Sequence, residues 1–442
     1  MNEILLVQAR GGNDLSQYSS LVLEQIKRIL PDDSRLKKHF ETKKAVHIPG
    51  LAMPIIHTAI KQYCRDNVNI SFVDQRIEHL NYDIEADLVF ISANTTTATH
   101  VYHMASKFRE NGAKVVLGGP HVSACPVEAL KYADAVVKGE AELILEKILE
   151  DFQNGHLKGI YRANKLINMN SDYLTPDISI FNEKYYLGDS IEVSRGCPKK
   201  CLYCYGPVIH GNKYRTRPVM SIINQIKESE SDYIFFPSDN LVGDPEHANK
   251  LLSELKKLDK RWIGSASADL AKDRKLTELV IKSGCKLLIV GFESISEIIL
   301  DKMGKPHNKG VEYGKFVKHL QNNGVIVAAC FILDYDPKES LNSIRDQLKY
   351  LEDNEFLLPM FANLTPYPGT PIFNQMKSKG ILIPDLGWEH YDARSGKPVF
   401  YRPNHTPEYL DALEKAVTQD TGLQYFIKQI QNRPDLIEKF AN

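Results

Sequence analysis

Ser194-Arg195-Gly196-Cys197-Pro198-Lys199-Lys200-Cys201-Leu202-Tyr203-Cys204-Tyr205 is the stretch on which the reading of this chain turns. Its cysteines are spaced C-x3-C-x2-C. Three thiolates on one compact loop can ligate three irons of a cubane cluster, because soft sulfur suits iron. No fourth cysteine lies nearby, so one iron is left without a protein ligand, the kind of open position that catalytic metals keep. A structural zinc knuckle is the alternative, with His210 as its fourth ligand. The place of the loop, at the end of an apolar strand-like run, favours the cluster.

That run, Ser190–Ser194, opens an alternating series. Further strand-like runs are Tyr233–Phe236, Trp262–Ser267, Lys286–Phe292, Val325–Leu333 and Met360–Leu364, with helix-like stretches such as Pro245–Lys257, Arg274–Ser283 and Glu339–Glu352 between them. Six strand–helix units suggest a partial (β/α)6 barrel, short of the complete eight. Upstream, a first series has apolar runs at Ile4–Val7, Ile70–Val73, Asp87–Ser92, Lys114–Leu117 and Ala135–Val137, each closing in small or polar residues; the first closes in Gln8–Gly12. Strand, loop and helix in repetition argue for a parallel sheet covered on both faces, with ligands beyond the carboxyl ends of its strands. The fold class read here is α/β: an N-terminal Rossmann-like domain, a partial barrel and a small C-terminal mixed or helical cap. The boundaries expected are 1–155, a linker at 156–186, the barrel at 187–375 and the cap at 376–442.

The bulk numbers fit a soluble globular protein of 442 residues, with 43% hydrophobic and 25% charged residues. A formal net charge of −1 gives no electrostatic case for nucleic acid or an anionic membrane. No apolar run approaches a membrane span. The start, MNEILLVQARGG, reads as a first strand and not as a signal peptide, which points to the cytoplasm, where thiols stay reduced. Of seven cysteines, Cys64, Cys125, Cys285 and Cys330 are isolated and read as buried inert thiols.

The cysteine loop resembles that of the radical S-adenosylmethionine (SAM) superfamily. The resemblance implies a 4Fe-4S cluster on Cys197, Cys201 and Cys204, with SAM bound to the open iron and cleaved to a 5′-deoxyadenosyl radical. It places Tyr203 beside the adenine. It places Ser238, Asp239 and Asn240 where the family has a glycine-rich contact to the SAM amino group. Glu293 and Ser294, in Gly-Phe-Glu-Ser, are similar to a fourth-strand motif that reaches SAM, and Ser267 is a further candidate at the third strand end.

Gly118-Gly119-Pro120-His121, Pro126-Val127-Glu128-Ala129-Leu130 and Gly139-Glu140-Ala141-Glu142 resemble the cobalamin-binding domain found ahead of many radical SAM barrels. Ile48-Pro49-Gly50-Leu51-Ala52 and Asn94-Thr95-Thr96-Thr97 fit the same pattern. Paired glycines let backbone approach a bulky planar ligand, and the hydroxyls of Ser92, Thr95 and Thr96 can bond its nucleotide loop. The cofactor-binding residues expected in this domain are therefore Ser92, Thr95, Thr96, Gly118, Gly119, Gly139 and Glu140. The Asp-x-His-x-x-Gly motif that supplies a cobalt ligand in other cobalamin enzymes is absent, and His121 reads as a turn residue. Methylthiotransferases carry a second cysteine triad upstream, and maturases with auxiliary clusters carry cysteines after the barrel; neither pattern occurs here.

Leu364-Thr365-Pro366-Tyr367-Pro368-Gly369-Thr370-Pro371 closes the sixth strand in a fixed turn, and Tyr367 is the substrate-side catalytic candidate. The segments around Trp388–Asp392 and Val399–Pro403 read either as folding over the mouth or as aromatic packing. The expected function is cobalamin-dependent methylation of an unactivated carbon or phosphorus centre of a small molecule by a radical SAM enzyme. The alternatives are rearrangement, cyclisation or transfer of another SAM fragment such as 3-amino-3-carboxypropyl, and a non-catalytic iron–sulfur or corrinoid-binding protein. An electron donor such as flavodoxin or ferredoxin is the expected protein partner; nucleic acid and membrane are not expected.

Overall fold

The computed structural model describes residues 3–10, 23–44, 47–64, 68–419, 421–431 and 433–441. Gly11 and Gly12, at the end of the first loop, lie outside them.

The apolar runs of the first series become a parallel sheet of β1 (Glu3–Gln8), β2 (Asn69–Asp74), β3 (Leu88–Ser92), β4 (Lys114–Gly118), β5 (Ala135–Val137) and β6 (Gly159–Tyr161), in the order β2-β1-β3-β4-β5-β6. Alternate residues of a strand face opposite sides. Leu5, Val7, Val89, Ile91, Val115 and Leu117 accordingly pack on the helix Ala98–Glu110. Ile4, Leu6, Leu88, Phe90 and Val116 pack on the helices Ala52–Cys64 and Leu145–Gln153. Burial on both faces explains why these strands are apolar throughout rather than alternating. The sixth strand lies within the stretch expected to be a linker. It pairs with β5 from Ala135↔Gly159 to Val137↔Tyr161.

The second sheet is also parallel. It runs β14-β13-β12-β11-β10-β7, with β7 (Asp189–Ser190), β10 (Tyr233–Phe235), β11 (Arg261–Ser267), β12 (Cys285–Glu293), β13 (Ile326–Leu333) and β14 (Leu358–Asn363). The first of these is shorter than the run Ser190–Ser194 suggested. Its ladder stops at Ser190, and β8 (Ser194–Arg195) instead pairs antiparallel with β9 (Arg215–Thr216), which lifts the cysteine loop off the sheet. Leu288, Val290, Phe292, Val327, Ala329 and Phe331 face the outer helices. Their neighbours Leu287, Ile289, Ile326 and Ala328 face inward, where Phe426, Ile427, Ile430, Leu436 and Phe440 cover them.

The C-terminal part therefore divides. The helices Leu423–Ile430 and Pro434–Ala441 fill the barrel against the amino-terminal halves of its strands. Residues from Pro371 to Phe400 pack at the carboxyl end around Met303, Tyr335, Leu364 and Tyr391. Among the described residues no helix is long and apolar enough to cross a membrane.

Candidate functional site

Cys197, Cys201 and Cys204 are free thiols on the loop after β8. Their backbone is tied on three sides. The Gly196 amide donates to Asp239 Oδ2 at 2.9 Å. The Leu202 amide donates to the Met303 carbonyl at 3.0 Å, and the Leu202 carbonyl accepts from the Ile372 amide at 3.1 Å. Burial pushes all three thiols up, Cys204 to about 12, and at Cys201 and Cys204 the charge of the neighbouring thiols adds to the effect. Three thiolates in such surroundings call for compensating positive charge, which the irons of a cluster supply. Nδ1 of His210, the fourth ligand of the zinc alternative, lies 3.7 Å from Glu140 Oε1.

Most of the residues expected around SAM bond the cysteine loop or one another. Ser238 Oγ accepts from the Ser194 amide at 3.2 Å, and Asp239 holds Gly196, so both fix the cysteine loop. Asn240 Nδ2 stands 3.9 Å from Cys197 Sγ and 3.2 Å from Ser267 Oγ. Ser267 in turn bonds Asp269, which pairs with Lys199 at 2.6 Å. The Ser294 hydroxyl accepts the Ser296 amide at 3.1 Å, closing the turn before the helix Glu297–Lys302.

Glu293 ends β12 at φ 70°, after a register shift against β13. Its Oε1 meets Lys305 Nζ at 2.6 Å, and the same ammonium donates to the Tyr203 hydroxyl at 3.3 Å. Gly291 makes room for the pair: a Cβ there would lie 2.3 Å from Glu293 Oε1 and 2.8 Å from Lys305 Nζ. Burial disfavours the ammonium, yet Glu293 and the thiol of Cys201 raise Lys305 above its ordinary value. Lys305 had no sequence signal, since nothing local marks a lysine twelve residues after its partner.

Between the two sheets lies a cavity of about 430 Å³. Ser92, Gly118, Gly119, Gly139 and Glu140 line it from the first domain, together with Ile48, Leu51, Phe90, Val116 and Val137. Glu192, Arg195 and Phe235 line it from the barrel. Its size is that of a ligand site, and apolar walls with exposed glycine backbone suit a bulky planar cofactor. Gly119 has φ +98°, and a Cβ there would meet Ser92 Oγ at 2.6 Å. The Glu140 carboxylate is taken by protein groups: Arg215 in two hydrogen bonds of 2.7 and 2.9 Å, and the Ile167 amide at 2.9 Å.

Thr95 and Thr96 do not line this cavity. Thr95 is buried, 3.4 Å from His121 Nδ1. His121 is wholly enclosed beside Glu128 and the Trp388 ring, as a packing residue would be. Tyr367 packs on Tyr205, the residue after Cys204, with ring centroids 5.5 Å apart.

A Rossmann-like domain facing a six-stranded barrel, with a C-x3-C-x2-C loop between them, defines a cobalamin-linked class of radical SAM enzyme. The family model of the B12 binding domain matches residues 45–149, and that of the radical SAM superfamily matches residues 191–351. The chain belongs to the radical SAM superfamily, in the branch that carries a B12-binding domain ahead of the barrel. It is an enzyme, and its family cofactors are a 4Fe-4S cluster, SAM and cobalamin.

The bacteriochlorophyllide d C-12(1)-methyltransferase of Chlorobaculum tepidum is 27% identical over 365 residues, which span 80% of this chain and 79% of that one. The hopanoid C-2 methylase of Rhodopseudomonas palustris is 25% identical over 390 residues, spanning 84% of this chain and 72% of that one. Among solved structures, the radical SAM methyltransferase TsrM of Kitasatospora setae, with cobalamin and a [4Fe-4S] cluster bound, has a TM-score of 0.65 at 14% identity. That match covers 94% of this chain and 85% of TsrM, and it shows a shared fold.

Proposed function

We propose that this protein is a cobalamin-dependent methyltransferase acting on an unactivated carbon of a small molecule. The observation that carries the reading is that one cavity is walled both by the strand ends of the B12-binding domain and by Glu192 and Arg195, next to the cysteine loop. The methyltransferase relatives support it, being similar over about three quarters or more of both chains.

When bound, the cluster and SAM supply a 5′-deoxyadenosyl radical, and cobalamin supplies a transferable methyl group. The chain's own residues do the rest. Cys197, Cys201 and Cys204 hold three irons. Asn240 steadies Cys197, while Tyr203, Lys305 and Glu293 form a buried polar wall beside the thiols. Leu364, Tyr391, Val399 and Phe400 form an apolar layer at the carboxyl end that shields the radical from water. Tyr367 is the proposed substrate-side residue. Ser92, Gly118, Gly119 and Gly139 are the proposed cobalamin contacts. We place the enzyme in the cytoplasm, where free thiols stay reduced and a flavodoxin or ferredoxin can deliver the electron.

The test is anaerobic reconstitution with iron, sulfide and hydroxocobalamin, followed by incubation with reductant, methyl-labelled SAM and candidate substrates. Label in the product together with 5′-deoxyadenosine is the expected result. A reconstituted protein that takes up no cobalamin would overturn the reading. Label arriving from another part of SAM would assign fragment transfer instead.

A further inference from the structure

Arg195 stands two residues before Cys197, and its guanidinium does not point at the cluster. It turns into a buried cluster of charges that crosses from one domain to the other. Nε and Nη2 donate to the two carboxylate oxygens of Glu192 at 2.9 Å each. Nη1 donates to Glu140 Oε1 at 3.3 Å, and Nη2 lies 2.6 Å from Glu142 Oε1. Glu140 and Glu142 belong to the loop after β5, in the B12-binding domain. Arg215 grips Glu140 from β9 and also donates to the carbonyls of Ile167 and His210. Arg217 donates to the Glu192 carbonyl at 2.8 Å, and its guanidinium lies 4.2 Å from the Tyr173 ring centroid. The three carboxylates of Glu140, Glu142 and Glu192 thus meet the guanidiniums of Arg195 and Arg215, with Arg217 on the Glu192 backbone, and every one of the six side chains is buried.

Stability alone gives no reason for such a group. Charged side chains lose their hydration on burial, and apolar residues of similar size commonly serve as well or better. A buried ion cluster does confer directional contacts, so it fixes the position of the elements that carry it. Here those elements are the two sides of the cavity: Glu140, Glu142, Glu192 and Arg195 all line it. A second attachment between the domains exists elsewhere, where Trp388 Nε1 donates to Glu128 at 2.7 Å and Thr99 bonds Glu389 at 2.6 Å. Loss of the ion cluster therefore leaves the domains joined and frees only their register at the cavity.

We propose that Arg195 is a positioning residue that sets the spacing between the cysteine loop and the cobalamin cavity by clasping Glu140 and Glu142 across the domain boundary. It acts through the backbone of Gly196 and Cys197. The proposal rests on the cobalamin-dependent reading above. Misplacement of reacting groups by ~1 Å can slow a reaction on the order of a hundredfold. The consequence is that SAM cleavage and methyl transfer to cobalamin come apart when the clasp is broken.

The test uses the full chain reconstituted with cluster and cobalamin, with Arg195→Met and Glu142→Met. The second variant leaves Arg195 paired with Glu192 and Glu140. Iron and cobalamin content is measured first. Electron paramagnetic resonance then reads the magnetic interaction between the one-electron-reduced cluster and the Co(II) of bound cobalamin. In the unaltered protein a single well-defined interaction is expected. Both variants are expected to show a broadened one at full cofactor content. Methylation of bound cobalamin from SAM falls about a hundredfold, while dithionite-driven release of 5′-deoxyadenosine persists. An unchanged magnetic interaction in both variants overturns the proposal. So does loss of cluster or cobalamin from both, which assigns the group to folding. Failure of the unaltered protein to take up cobalamin strikes the underlying reading instead.

Discussion

Lys305 and Glu293 form a 2.6 Å ion pair with almost no access to solvent, and the Tyr203 hydroxyl shares the ammonium. The pair closes the polar wall beside Cys201, whose charge also acts on Lys305. Lys305 is raised above its ordinary value, so the pair's contribution is fully present below the unfolded lysine value and is lost only as pH climbs through the folded one. Across the neutral range it is constant. Lys305→Met leaves a buried carboxylate without its counter-charge, which costs about 3–5 kcal/mol. Denaturant unfolding should show that loss, and Lys305→Met combined with Glu293→Gln should recover most of it. Recovery of fold without recovery of SAM cleavage would separate the pair's site role from its structural one.

Asn240 aims Nδ2 at Cys197 Sγ from 3.9 Å. Donors directed at cluster sulfurs stabilise the more negative, reduced form and so raise the potential. Asn240→Ala should move the cluster's midpoint potential to a more negative value in a spectroscopic redox titration, with iron content unchanged. A potential equal to that of the unaltered protein would remove Asn240 from the site.

Two glycines at the cavity should respond differently to alanine. At Gly119, φ is +98° and a Cβ would stand 2.6 Å from Ser92 Oγ and 2.8 Å from the Ala93 carbonyl oxygen. Gly119→Ala should destabilise the protein by about 1–3 kcal/mol. At Gly139, φ is +85° with nothing within 4 Å, so Gly139→Ala carries only the backbone term of about 1 kcal/mol. Gly139 lines the cavity, and cobalamin uptake is where the effect of its added methyl group should appear. Thermal unfolding of the cofactor-free protein and a cobalamin-binding titration distinguish the two.

Glu339 reports on pH. Burial pushes its carboxyl up to about 7, only partly offset by the amides of Asp336 and Asp334 that it accepts. A carboxyl raised on folding favours the folded state below its unfolded value and loses that advantage as pH rises through the folded one. Stability should therefore fall by about 1 kcal/mol per pH unit between the ordinary carboxyl value and pH 7, and level off above it. His307, held near 4 by burial, acts below its ordinary value, and Lys286, lowered to about 8, acts above that. His307 acts equally in both proteins, so the difference in unfolding with and without Glu339→Gln, measured from the ordinary carboxyl value up to pH 7, isolates the slope, which the variant should remove.

Much of the fold was legible because its signals are local. Lys286–Phe292 and the observed Cys285–Glu293 differ by one residue at each end, since a strand buried on both faces must be apolar along its length. The short strand Gly159–Tyr161 gave no such signal. It sits at the sheet edge with Ile160 exposed, so burial demands no apolar run. The run Ser190–Ser194 misled for a related reason. Ile191 and Val193 are buried, but past the Ile191 amide, which still donates to the Phe235 carbonyl, the chain leaves the sheet and forms β8 from Ser194. At the site, Ser238 and Asp239 proved to hold the cysteine loop by hydrogen bonds, a role that strand-end position alone does not distinguish from ligand contact.

The sequence by itself placed Cys197, Cys201 and Cys204 together, because three cysteines within eight residues share one loop whatever the rest of the chain does. It also determined the two parallel sheets, whose apolar periods are set by burial. Tertiary structure alone decided which charges meet. Lys305 finds Glu293 across 12 residues, and Arg195 finds Glu140 across 55. The physical reason is that a buried ion pair depends on where two backbones bring their side chains and leaves no periodic mark in either segment.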